Sequence, residues 1–186
     1  MLTLLFSALE PAVIDLNQTP VIRSSGRVAK KTYRPKQLID DVNRPVWKIE
    51  GNNLDIDFSG AILQGVSPTA EPDARKGLAI EVKGENITIR NLNVHGFKVG
   101  LIARNTKGLK IVDSDFSYNW KQHLLSGLDK EDLADWMSFH HNEKDEWLRY
   151  GAGVYLRGCS DFEVTRTKIV GGQCGLMLME SNGGKV

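Results

Sequence analysis

A chain of 186 residues has room for one domain of ordinary size and too little for two independent ones. Hydrophobic residues at 41% and charged residues at 25% give a globular composition and argue against disorder, while a formal charge of +1 provides no whole-protein field aimed at nucleic acid or an anionic membrane. No apolar run approaches the ~18 residues a spanning helix needs.

Eighteen glycines and eleven asparagines are the informative counts, because both residues tolerate positive φ and so suit a chain that turns often. The chain opens on MLTLLFSAL, an apolar stretch with no positively charged flank and with Glu10 close behind, a short and weak match to a secretory signal. The repeating part of the chain is expected from 45 to 186. Repetition begins irregularly at Leu54/Ile56 and, past Gly60, Ile62. It then becomes regular. Gly77-Leu78, Gly100-Leu101, Gly153-Val154 and Gly175-Leu176 recur at separations of 23, 53 and 22 residues, the middle value being one ordinary repeat with an insertion. Inside each repeat lie two further apolar pairs, Ile87/Ile89, Leu109/Ile111 and Phe162/Val164, then Leu92/Val94, Ser114/Phe116 and Thr167/Ile169.

Every pair has the i, i+2 spacing of a strand with one face inward. Three short strands per ~22 residues, joined by turns such as Gly51-Asn52-Asn53 and Gly84-Glu85-Asn86, place equivalent side chains over one another about 4.8 Å apart. The fold expected is all-β, a single-stranded right-handed parallel β-helix (a solenoid of ~22-residue coils), the hand following from the crossover rule. A sandwich of short strands accounts for the strand lengths but not for the fixed register.

Residues 119–150 interrupt the repeat. Leu133, Trp136, Met137 and His140 fall at helical spacing, Asp129 can cap, and Glu131 and Asp132 sit in the first turn, so one α-helical insertion is expected. Seven acidic against four basic side chains make it net negative. Cys159 and Cys174 form no metal knuckle or disulfide framework and read as free thiols.

The stretches LAIEVKGENITIRNLNVHGF and VYLRGCSDFEVTRTKIVGGQCGLMLM resemble the pectate-lyase-like superfamily of right-handed parallel β-helix proteins, over about residues 45–186. The chain stops partway through a coil, so the resemblance implies that C-terminal coils are missing. It also implies an N-terminal cap over residues 1–44, where VIRSSGRVAKKTYRP resembles the strand that enters such a helix, and a carbohydrate-active protein, a polysaccharide lyase, epimerase or glycoside hydrolase, secreted or periplasmic, with a polysaccharide as partner. The lack of a basic stripe and of a spanning apolar run argues against nucleic acid and membrane. A non-catalytic carbohydrate-binding or structural β-helix is the alternative.

Register nominates the residues for that chemistry. With Leu92, Val94 and Phe116 inward, Asn91 and Asn93, Asp113 and Asp115, and Arg166 and Lys168 face outward on successive coils. Asp113 and Asp115 could serve as acid and base of an inverting hydrolase or hold a calcium ion, the one cofactor considered. They could equally form ladder pairs with Arg166 and Lys168. Removing a proton beside a uronate carboxylate needs a base, a cation and a proton donor. His140 or His141, Arg149 and Tyr150 have those types, with Lys121 and His123 at the other root. No metal site is expected, since neither histidine belongs to an HExxH motif. Trp120, Trp136 and Trp147 are three of four tryptophans; Trp147 is the candidate sugar platform and Trp136 an anchor. Lys121, Asn93, Arg166 and Lys168 complete the expected substrate contacts.

Overall fold

The computed structural model describes residues 11–136 and 145–186. In chain order the strands are β1 (Val13–Ile14), β2 (Val21–Ile22), β3 (Gly26–Val28), β4 (Thr32–Tyr33), β5 (Pro45–Glu50), β6 (Asp55–Asp57), β7 (Ile62–Gln64), β8 (Leu78–Lys83), β9 (Thr88–Arg90), β10 (Asn93–His95), β11 (Val99–Arg104), β12 (Lys110–Val112), β13 (Ala152–Arg157), β14 (Glu163–Thr165) and β15 (Leu176–Met179). They form three sheets in which every pair is parallel. A wide sheet runs β2-β5-β8-β11-β13-β15, a narrow sheet β1-β3-β6-β9-β12-β14, and a third sheet β4-β7-β10. Single bridges Asn93–Asp115 and Asp115–Lys168 extend the third sheet. The chain adds a strand to the wide, narrow and third sheets in turn, then returns to the wide sheet one place along. Parallel neighbours need a long connection, and the other two sheets supply it.

Register places like over like. Ile56, Ile89, Ile111 and Val164 pair in sequence across the narrow sheet, and Trp47, Ile80, Leu101, Val154 and Leu176 across the wide one. All but Leu176 are buried. Each such aliphatic side chain stabilises the fold by about 1.5–3 kcal/mol relative to leaving it exposed. One detail of the repeat changes: Leu101 pairs with Ile80, not Leu78. Ala79, rather than Gly77, therefore stands at the position of Gly100, Gly153 and Gly175.

The glycine and asparagine content has a local cause. At the corner between the wide and narrow sheets, Gly51, Gly84, Asn105, Gly158 and Glu180 occupy one position and all have positive φ. Two residues on in the first two coils and three in the rest, Asn53, Asn86, Gly108, Asp161 and Gly183 also have positive φ. A Cβ on Gly84 would stand 1.7 Å from the Gly51 carbonyl oxygen, so at Gly84 the corner also stacks too closely for a side chain.

Strands β2, β3 and β4 already pair with β5, β6 and β7. The hydrogen-bonded stack therefore begins before residue 45. These strands are two or three residues long and lack the i, i+2 pairs that mark the later ones. Cys159 and Cys174 are free thiols.

The α-helix expected in the insertion is absent among its described residues, which carry only 3-10 turns at Leu133–Asp135 and Glu146–Tyr150. Asp132, expected in the first turn of that helix, and Asp135 bind backbone amides in turns instead. Asp132 accepts from the Ala134 amide, and Asp135 from those of Leu125 and Ser126. Leu133 and Trp136 are exposed, and the Trp136 indole donates to the Glu131 carboxylate within the insertion. Met137, His140 and His141 lie outside the described residues, as does the MLTLLFSAL stretch. No helix of the described residues is long and apolar enough to cross a membrane.

Candidate functional site

The outer face of the third sheet borders a concave cavity. Gln64, Pro68, Arg75, His95, Gly96 and Tyr118 line about 280 Å³. Gln64 and His95 are register partners on β7 and β10. A loop between β7 and β8, including the 3-10 turn Pro72–Ala74, brings Arg75 over them.

His95 is oriented by its backbone surroundings. Its Nδ1 lies 2.8 Å from the Ser117 carbonyl oxygen, which can only accept. Nδ1 therefore carries the hydrogen, and in the neutral ring Nε2 presents a lone pair. Gln64 donates from Nε2 to the Val66 carbonyl oxygen at 2.7 Å, leaving Oε1 as an acceptor. Tyr118 is held at φ +55°, a conformation costly for a bulky side chain, and its ring is more than half exposed. Beneath that ring lies Gly171, where a Cβ would meet Cδ1 of Tyr118 at 2.7 Å.

Arg75 is 7% exposed and forms no salt bridge among the described residues. Nη1 donates to the Asn119 carbonyl oxygen at 2.7 Å, and Nε has no partner. Burial alone pushes its pKa down, yet a guanidinium stays charged at neutral pH. Asn119 is itself locked inside the stack. Its Oδ1 accepts from the Phe97 amide, and Nδ2 donates to the Val94 and Phe116 carbonyl oxygens.

A second cavity of about 230 Å³ shares the same loop and holds Lys121 and His123 with Glu71 and Asp73. Trp120 closes its root by donating from Nε1 to the Asp73 carbonyl oxygen, with the Lys98 ammonium 5.7 Å from its ring centroid.

The residues nominated by register divide between two faces. Asn93, Asp115 and Lys168 are bridge partners on the third sheet, beside the His95 cavity. Asp113 and Arg166 occupy the corner before it. There Arg166 donates from Nε to Oδ1 at 2.6 Å and from Nη2 to Oδ2 at 2.9 Å. Hydrogen bonding to that guanidinium holds the Asp113 carboxyl below the usual range, which disfavours a proton-donor role. Asp115 accepts from the Ser117 amide at 2.8 Å. With both Asp113 oxygens engaged by Arg166, the Asp113/Asp115 pair does not fit a calcium ion. Among the described residues no group of three or more acidic, histidine or cysteine side chains could hold a metal.

Trp147, Arg149 and Tyr150 stand elsewhere, in the 3-10 turn that leads into β13. Leu148 of that turn packs with Leu78, Val99, Ile102, Ala152 and Tyr155 on the outer face of the wide sheet. The Arg149 guanidinium lies 4.7 Å from the Tyr150 ring centroid and the Trp147 ring 5.7 Å away from it, while Glu146 pairs with Arg149 at 3.8 Å. This face and the Asp113 corner belong to different sheets.

Sequence reasoning missed Gln64, Arg75, His95 and Tyr118. The signal available was a spacing of 33 residues from Trp47 to Ile80, against 21 from Ile80 to Leu101, which marks a second excursion before β8. Comparisons with protein-family models, with curated proteins and with solved structures find no match to this chain.

Proposed function

We propose that the chain winds as a right-handed parallel β-helix and is carbohydrate-active, a polysaccharide lyase or glycoside hydrolase resembling the pectate-lyase-like group, with its chemistry at the His95 cavity. Support for the winding comes from three all-parallel sheets visited in fixed rotation. Support for the site comes from one observation above the rest: His95 has its tautomer set by Ser117, with Nε2 available beside Tyr118 in a concave pocket.

In an elimination, His95 Nε2 takes the proton from the carbon beside the sugar carboxylate. The freed electron pair forms the ring double bond, the C4–O bond breaks, and the departing oxygen takes a proton from the Tyr118 hydroxyl. Arg75 supplies the positive charge that stabilises the carboxylate as electron density builds on it. A polymer substrate too large to enter a cell accords with a secreted or periplasmic location.

Incubation with a polysaccharide panel, following unsaturated-product absorbance and reducing ends separately, tests this. Wild-type protein is expected to generate product, and His95→Ala to slow it by about 10²–10⁴-fold. Undiminished product from His95→Ala rejects the assignment. A second reading, a non-catalytic carbohydrate-binding β-helix, is favoured by the engagement of Asp113 with Arg166 and of Asp145 with Tyr155 and two arginines. Binding with no product in either assay selects it.

A further inference from the structure

We propose that the tip of the insertion, residues 124–136, is a self-association surface that seats in the groove lined by Val164, Arg166, Lys168, Ile169, Leu176 and Val186 on a second copy of this chain. The inference is independent of the polysaccharide reading.

In the tip, Leu124, Leu125, Leu128, Leu133 and Trp136 are all exposed, Leu128 completely. Single exposed apolar residues are ordinary, but this many within thirteen residues is what an interaction site presents. The tip does not need these side chains to keep its shape. Asp135 accepts from the Leu125 and Ser126 amides, Ser126 Oγ accepts from the Asp132 amide, and Gln122 Nε2 donates to the Ala134 carbonyl oxygen at 3.0 Å. A loop tied by its own polar groups holds its apolar side chains ready, so little conformational freedom is lost on docking.

Charge selects the occupant. Asp129, Glu131, Asp132 and Asp135 stand against one cation, Lys130, in the tip. Two tips face to face would bring these carboxylates together, and an anionic membrane would repel them. The groove has the opposite character. It encloses about 620 Å³, presents Val164, Ile169, Leu176 and Val186, and is lined by Arg166 and Lys168 with no carboxylate. Arg166 is paired with Asp113, so Lys168, and Lys185 next to Val186, are the cations left for the tip. Apolar side chains flanked by carboxylates thus meet an apolar trough flanked by ammonium groups. The contact joins unlike surfaces, so copies assemble as a reciprocal pair or as an open row. A patch this small gives weak association, visible only at high protein concentration.

Sedimentation velocity from about 1 µM to about 1 mM protein reads the mass directly. The wild-type chain is expected to pass from its monomer mass of 20.7 kDa to at least twice that, less readily when NaCl is raised from about 0.05 to about 0.5 M. Leu128→Asp, and separately Lys168→Glu combined with Val186→Asp, are expected to stay monomeric; all three positions are exposed, so folding is not at stake. Each variant keeps the surface the other has lost, so an equimolar mixture is expected to recover a complex of two chains and nothing larger. A mixture that stays monomeric, or self-association that survives in Leu128→Asp, overturns the inference. A wild-type chain that is monomeric throughout overturns it too. Flotation of that chain with phosphatidylcholine vesicles, lost in Leu128→Asp, would then assign the tip to a membrane, and no flotation would assign it to a foreign protein.

Discussion

Tyr155 donates its hydroxyl hydrogen to Asp145 at 2.9 Å, fastening the outer face of the wide sheet to the point where the insertion returns. Arg104 and Arg157 close on the same carboxylate at 3.0 and 3.5 Å. Burial raises the Asp145 pKa, but the Tyr155 hydrogen bond and the two guanidinium groups outweigh it and leave it lowered. Asp145→Ala removes the acceptor of the Tyr155 hydrogen bond and one carboxylate partner of each of Arg104 and Arg157, which keep Glu81 and Glu180, and is expected to destabilise the fold by about 1–3 kcal/mol. Urea unfolding measures this; an unchanged midpoint contradicts it.

Asp57 controls acid sensitivity on the narrow sheet. Burial pushes its carboxyl up, yet hydrogen bonds from Ser59, Asn91 and the Arg27 guanidinium prevail and hold it at about 2, against an ordinary 3.8. The folded carboxyl ionises more readily than the unfolded one. Its contribution is therefore complete above about pH 4 and lost as the pH falls through about 2. With the side chain a quarter exposed, solvent screening reduces that contribution to about 1–2 kcal/mol. Asp57→Asn is expected to be less stable than wild type at pH 6, with the gap shrinking as the pH falls to about 2 and closing below it. A gap that does not shrink between about pH 4 and about 2 contradicts the assignment.

The stacked column through Ile111 carries a larger load. Ile111 is fully buried between Ile89 and Val164. Truncation to alanine opens a cavity that rigid strands on both sides cannot collapse, and is expected to cost about 3–4 kcal/mol. Lys110→Ala, at the neighbouring exposed position, is expected to change stability by less than about 0.5 kcal/mol. Similar losses for the two would mean that the column does not exist.

Gly171→Ala tests the support of Tyr118. The added methyl meets the Tyr118 ring, and φ at Gly171 is +68°. The substitution is expected to move the Tyr118 ring signals and cut product formation about tenfold or more. Asp113→Asn, which removes only a solvent-exposed pair with Arg166, is expected to leave product formation within about twofold. Loss of activity in Asp113→Asn would return the chemistry to the corner carboxylates.

The periodic part of this protein was legible because strand alternation is local: Ile89, Ile111 and Val164 each announce an inward face within three residues of sequence. The Asp113–Arg166 pair followed from register alone. The cavity did not, because His95, Arg75 and Tyr118 come from a strand, a loop and a corner separated by tens of residues, and only the closing of the stack brings them together. The insertion misled for a different reason. Helical spacing at Leu133 and Trp136 competes with aspartates that bind backbone amides locally, and the aspartates prevail. Residues such as Arg149 and Tyr150 have suitable chemistry, but nothing in their spacing reveals that their turn leads into the wide sheet, away from the Asp113 corner.

The most direct test of where this protein meets a saccharide is a titration of isotope-labelled chain with oligogalacturonate, read residue by residue from amide shifts. The largest changes are expected at Gln64, His95, Gly96 and Tyr118, with Trp147, Arg149 and Tyr150 unmoved. Changes confined to the 146–150 turn, with the His95 cavity silent, would contradict the account.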